Sequence, residues 1–120
     1  EKEFTMLTDG SEEREFLYAE DCCEALESIL LNYRKFNSDD DLHITSFKST
    51  KIIQIASIIE RLFRESGYEV KINKGIEKDS IQRSQVNKPN DYITKWWQPK
   101  TSIEDGIAQV FDFMKRENEI

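Results

Sequence analysis

Asp9-Gly10-Ser11-Glu12-Glu13-Arg14-Glu15-Phe16-Leu17-Tyr18-Ala19-Glu20-Asp21 joins a turn, a short extended piece and the start of a helix. Asp9-Gly10-Ser11 is the turn signal, and Phe16-Leu17-Tyr18 is the extended piece. Glu20 and Asp21 put carboxylates at the positive end of a helix dipole. Between turn and helix stands Arg14. A guanidinium held by a strand is a rigid, forked donor suited to two phosphate oxygens. Its ordinary role would be neutralisation by Glu12, Glu13 or Glu15, which lie within two residues of it.

Working outward, Glu3 to Thr8 alternates weakly and reads as a strand. The helix after Asp21 carries Cys22, Leu26, Ile29, Leu30 and Tyr33 at the spacing of one inward face. Residues 37–41, with three consecutive Asp, read as a solvated loop. Leu42 to Phe47 reads as a strand, and Ser49 or Thr50 is placed to cap the next helix. That helix turns Ile52, Ile55, Ala56, Ile59, Leu62 and Phe63 inward, and Gly67 closes it. Tyr68 to Ile72 alternates as a further strand. Strand, helix, strand at this spacing is a crossover unit, so segments 42–47 and 68–72 are expected to pair in parallel. Residues 73–90 are polar, contain Gly75 and Pro89, and should hold one short element of unassigned type. Thr101-Ser102-Ile103-Glu104 has the form of a capping box. The last helix then buries Ile103, Ile107, Val110, Phe111 and Met114. The fold class is α/β, a small single domain over 1–120 with about three main helices and few short strands.

Composition narrows the partners. The chain has 120 residues and a formal net charge of -7, from 24 acids and 17 bases. An acidic surface repels phosphate backbones, so nucleic acid and anionic membranes are not expected partners. One anionic small molecule remains compatible, because a few convergent Arg side chains make a local positive pocket. No apolar run approaches the ~20 residues that span a bilayer. Cys22 and Cys23 are adjacent and diverge on a helix, which fits reduced thiols in a cytoplasmic protein better than a disulfide or metal pair. The chain opens on Glu1, which leads us to expect a processed chain or an excised piece.

Catalytic machinery is hard to find. Four well-separated glycines build neither a dinucleotide fingerprint nor a phosphate-binding P-loop. A lone histidine, His43, cannot support a multi-histidine metal site and no metal is expected. Glu12-Glu13 and Glu20-Asp21 are carboxylate pairs whose default is exposure. No Ser-His-Asp arrangement is recognisable. Arg83, in the polar 73–90 stretch, has a weaker independent case for phosphate binding than Arg14.

In order, Asp9-Gly10-x-x-x-Arg14-x-Phe16-x-Tyr18-x-x-Asp21 resembles the opening of the C-terminal region of extended short-chain dehydrogenase/reductases that act on nucleotide sugars. The form in that family is Gly-x-Gly-x-x-x-Arg-Asp-Phe-x-x-Val-x-Asp, from which Thr8, Glu15 and Ala19 depart. Leu42-His43-Ile44 falls where the family has an aromatic-Asn-Ile strand, and residues 50–56 match its following helix start. Trp97-Gln98-Pro99-Lys100-Thr101-Ser102-Ile103-Glu104-Asp105-Gly106-Ile107 resembles its Gly-Trp-x-Pro-x-x-Ser-Leu-Glu-Glu-Gly-Ile.

The resemblance implies that Arg14 contacts the diphosphate of a nucleotide sugar, with Arg83 as a later phosphate contact. It implies that Thr5 and Leu7 line the base pocket, and that His43 stands at a nucleotide-contacting Asn. Asp21 and Tyr18 would be structural, Asp21 as a helix cap and Tyr18 packed beneath that helix. The intact enzyme would be an NAD-dependent nucleotide-sugar epimerase or dehydratase, homodimeric. Its N-terminal Rossmann domain would hold NAD and a Tyr-x-x-x-Lys pair, so residues 1–120 would bind no cofactor and catalyse nothing alone. A family member that has lost catalysis and serves as a binding or regulatory module is the alternative, and a ligand-free interaction domain a third.

Overall fold

The computed structural model describes residues 2–80 and 88–120. Among the described residues four short strands and three helices follow one another: β1 (Lys2–Thr5), β2 (Glu13–Glu15), α1 (Ala19–Asn32), β3 (Ser49–Lys51), α2 (Ile52–Glu65), β4 (Val70–Asn73) and α3 (Ile103–Arg116). Single 3-10 turns occupy Tyr33–Lys35 and Tyr92–Lys95. The α/β class read from periodicity is what the chain adopts.

The strand pairing differs from the expected crossover. β4 is parallel to β1, from Lys2 opposite Val70 to Thr5 opposite Asn73. Segment 42–47 forms no ladder, and Phe47 takes a left-handed φ of 55°. Its alternation has another cause. Leu42, Ile44 and Phe47 pack on a core of Ala25, Ile93 and Trp97, so one side of an irregular segment is apolar. The ladder lies just beyond, where β3 runs antiparallel to β2 with Arg14 opposite Thr50. Alternation reports which side is buried, whereas strand pairing needs a partner backbone that only the fold brings near.

The helices keep their positions with shifted details. In α1 the buried residues are Asp21 and Ala25. Leu26, Leu30 and Tyr33, expected inward, are 52%, 73% and 60% exposed. Ile29 alone of that outer run packs on the core cluster. The stripe is apolar, but the described residues leave its outer part exposed. α2 presents Ile52, Ile55, Ala56, Ile59, Leu62 and Phe63 half-buried. It meets β4 and α3, and Phe63 stacks edge-on against Phe111 at 5.0 Å. Ser49 and Thr50 lie in β3 and do not cap it; Gln54 Oε1 instead accepts the Lys51 N–H at 2.9 Å. Gly67 closes the helix as expected, at φ 83°. α3 starts one residue later than its capping box suggests, with the Ser102 hydroxyl accepting from the Asp105 N–H at 3.1 Å. Val110 of its expected inward face is half exposed.

Two acids read as exposed by default are buried: Asp21 at 2% and Glu12 at 8%. Asp21 does not cap its own helix. One carboxylate oxygen accepts the backbone N–H groups of Lys100 and Thr101, at 3.2 and 2.8 Å, and so fastens α1 to the segment leading into α3. Tyr18 likewise lies against α3, its hydroxyl donating to Gln109. The whole is a slab, 54 × 37 × 16 Å, with a radius of gyration of 17.4 Å. A compact chain of this length would have about 14 Å.

Candidate functional site

The turn after β1 is built by close backbone approach. Gly10 has φ 74°, and a Cβ there would stand 2.8 Å from Ile53 Cβ and 2.9 Å from its amide nitrogen. The carbonyls of Gly10 and Glu12 accept from the N–H groups of Ile53 and Ile52, which pins the turn to the first residues of α2. On the other side Gly75 donates to Thr8 O, and Asp9 donates to Glu77 O, both at 2.9 Å. A Cβ at Gly75 would meet the carbonyl oxygens of Met6 and Thr8 at 2.7 Å. The segments leaving β1 and β4 are therefore clasped together, and the strand after the turn, β2, carries Arg14 out of that clasp.

Charges crowd this corner. Asp9 Oδ1 accepts the Ser11 N–H at 2.9 Å, and hydrogen bonds from the Ser11 side chain and backbone hold its carboxyl below the ordinary aspartate value. Thr8 donates its hydroxyl to Glu12 Oε1. Glu12 Oε2 is buried without a hydrogen-bond partner. Ser11, Glu12, Lys78 and Asp79 line a recess of about 320 Å³. Arg14 donates from Nη1 to the carbonyl of Glu13 at 2.6 Å. Its Nη2 stands 3.5 Å from Asp79 Oδ2, with side chains 32% and 28% exposed. Its local acids, Glu12, Glu13 and Glu15, had been the expected neutralisers; Asp79, distant in sequence, is an ion-pair partner.

The other expected site residues are spread out. Thr5 ends β1 opposite Asn73 and is exposed, and Leu7 is 96% exposed beside the Gly75 clasp. His43 is elsewhere in the chain's bonding: its Nδ1 accepts the Asn90 N–H at 2.9 Å. Asn90 also donates to Asp41 O, so His43 helps fasten 41–43 to the loop before Tyr92. Arg83 lies outside the described residues. Thr5 and Leu7 stand on the segment that enters the clasp and Arg14 on the strand that leaves it, while no hydrogen bond or ion pair among the described residues ties His43 to that clasp. Asp79 is the partner of Arg14 that sequence reasoning missed, and Lys78 the lining residue of the nearby recess that it missed. Nothing in local spacing marks them, because their proximity depends on the pairing of β1 with β4.

Among the described residues no group of three or more His, Cys, Asp or Glu is arranged to hold a metal ion. No described helix is long and apolar enough to cross a membrane. The described residues do not fit a dinucleotide either. β1 runs through its glycine turn into another strand, not into a helix N-terminus that would receive a pyrophosphate.

The fold is that of the C-terminal part of extended short-chain dehydrogenase/reductases acting on nucleotide sugars, as the motifs suggested. An epimerase, Mth375, from Methanothermobacter thermautotrophicus superposes with a TM-score of 0.76 at 17% identity, over 98% of this chain and 34% of that one. The UDP-glucose 4-epimerase of Thermotoga maritima gives 0.73 at 17% identity, over 96% and 35%. The dTDP-glucose 4,6-dehydratase of Bacillus anthracis, solved in complex with NAD, gives 0.72 at 18% identity, over 98% and 36%. In sequence, the GDP-L-fucose synthase of Sinorhizobium fredii (strain NBRC 101917 / NGR234) is 29% identical over 103 residues, 86% of this chain and 31% of that protein. The chain therefore spans about a third of the length of the proteins it matches. No protein-family model matches it.

Proposed function

We propose that this chain is the part of an NAD-dependent nucleotide-sugar epimerase or dehydratase that binds the nucleotide-diphosphate sugar. The observation that carries the reading is the placement of Arg14. It stands on a strand, beyond a turn that glycines clasp on both sides, and pairs with Asp79, which lines a polar recess. Arg14 grips the diphosphate; Thr5 and Leu7 line the base pocket. Arg83 is a further phosphate contact and His43 a nucleotide contact. Binding energy from this handle positions the sugar for chemistry elsewhere in the enzyme.

NAD and the proton-transferring Tyr-x-x-x-Lys pair belong to a Rossmann domain in the same cytoplasmic, homodimeric protein. This chain contributes affinity and orientation, and no catalytic group. The test is calorimetry of UDP-, dTDP- and GDP-sugars on the intact enzyme and its Arg14→Ala variant. The variant should lose about 1.5–3 kcal/mol of binding free energy, the range for hydrogen bonds to charged groups. Affinity unchanged within error would remove Arg14 from the site.

A further inference from the structure

α1 and α3 each present an apolar face that the described residues leave half exposed or more. On α1 the stripe is Leu26 and Leu30. That helix also carries Glu20, Asp21, Glu24 and Glu27 and no basic residue. On α3, Ile103, Gly106, Val110 and Phe113 fall at the spacing of one stripe, with Val110 and Phe113 half exposed. The Tyr18 ring leans on Gly106, 3.2 Å from where a Cβ would stand. With Val110, Tyr18 walls two adjoining hollows of about 530 and 750 Å³ that together make a groove along α3. We propose that α1 of one copy of this chain lies in the α3 groove of a second copy, antiparallel to that helix.

Charge selects the occupant. Lys48, Lys115 and Arg116 line the groove with Glu104 and Asp112, and among the described residues no ion pair holds any of the three bases. Lys100 lines it too, but Glu24 already holds its ammonium at 2.6 Å. The groove is thus positive on balance in a chain of net charge -7, and the acidic, leucine-bearing α1 is its complement. Two α1 faces set against each other would instead bring acids together with no base on either helix. Both helices have 14 residues, about 21 Å of length. The antiparallel sense brings the Glu20 end of α1 to Lys115 and Arg116, opposes the two helix dipoles, and lays Leu26 and Leu30 along the apolar stripe. Each copy offers one helix and one groove, so the contact is heterologous and either closes as a reciprocal pair or propagates.

The experiment is sedimentation velocity on the full chain, on Leu30→Glu, on Phe113→Glu, and on an equimolar mixture of the two variants. Both positions are exposed, so both variants should fold, which amide NMR spectra check. Each variant alone should self-associate at least about tenfold more weakly than the wild type, because the contact would bury an unpaired carboxylate. The mixture should recover a 1:1 pair, since the intact α1 of Phe113→Glu meets the intact groove of Leu30→Glu. Wild-type association should weaken as salt is raised, and more steeply than that of Lys115→Glu. A mixture that stays monomeric while the wild type associates overturns the proposal in favour of α1 pairing with α1. Wild-type association by Phe113→Glu removes the groove from the contact. A wild-type chain monomeric at every concentration shows that a second copy does not cover either face.

Discussion

At the scale of single residues, Asp21 shows how an acid at a helix start can serve a distant segment. A carboxylate there is expected to favour its own helix through the dipole. In this fold it is 2% exposed and receives two backbone N–H groups nearly eighty residues away. Asp21→Ala would leave both donors without that acceptor beside a buried position. It should destabilise the chain by about 2–4 kcal/mol in urea unfolding. Asp21→Asn can still present one oxygen to both donors and should cost about half as much, since it loses the charge but not the acceptor. Equal losses in the two variants would mean that the charge, not the hydrogen bonds, holds α3 in place. Arg14 belongs at the same scale. Its motif position was legible, while the ion pair with Asp79 was not, because Asp79 lies far along the chain in a polar stretch without periodicity.

At the scale of elements, the site depends on two short parallel strands that would not pair stably by themselves. The Gly75 clasp joins their exits and leads directly to the Arg14 corner. Any side chain at position 75 drives into the carbonyl oxygens of Met6 and Thr8, which are backbone and cannot rotate aside. Gly75→Ala should therefore destabilise by about 2–3 kcal/mol, in the range of overpacking with a backbone shift. The loss should be seen by chemical denaturation, with shifts in the amide signals of Thr8 to Arg14 but not in those of α3. A variant with wild-type stability would show that the clasp is loose. Helix positions and the apolar face of α2 were readable from the 3.6-residue period. Segment 42–47 was misread because a half-buried irregular segment and a strand share the same alternation.

At the scale of the whole molecule, the slab form sets the physical behaviour. The buried apolar residues among those described are Met6, Ala25, Ile93, Trp97 and Phe111. Against them stand Leu26, Leu30 and Leu31 on α1 and Tyr33 in the turn that follows it, all more than half exposed, with Phe4 on β1 and Leu7 just after it. A surface of that kind drives association unless it is covered. The isolated chain should form concentration-dependent oligomers in sedimentation velocity. Leu30→Glu, at a position 73% exposed, should shift the distribution toward monomer with a stability change within about 0.5 kcal/mol. A wild-type chain monomeric at all concentrations would show that this face needs no cover.

The sequence by itself determined the α/β class, the three helices, the turn at Asp9-Gly10 and the motif that singles out Arg14. Each depends on local spacing, dihedral preference or a short ordered motif, all of which neighbours in the chain carry. The tertiary structure alone decided that β1 pairs with β4, that Asp21 and Glu12 are buried, that α1 turns its leucines outward, and that Asp79 meets Arg14. These depend on contacts between segments far apart in the chain, and the identity of a distant partner is not written in local periodicity.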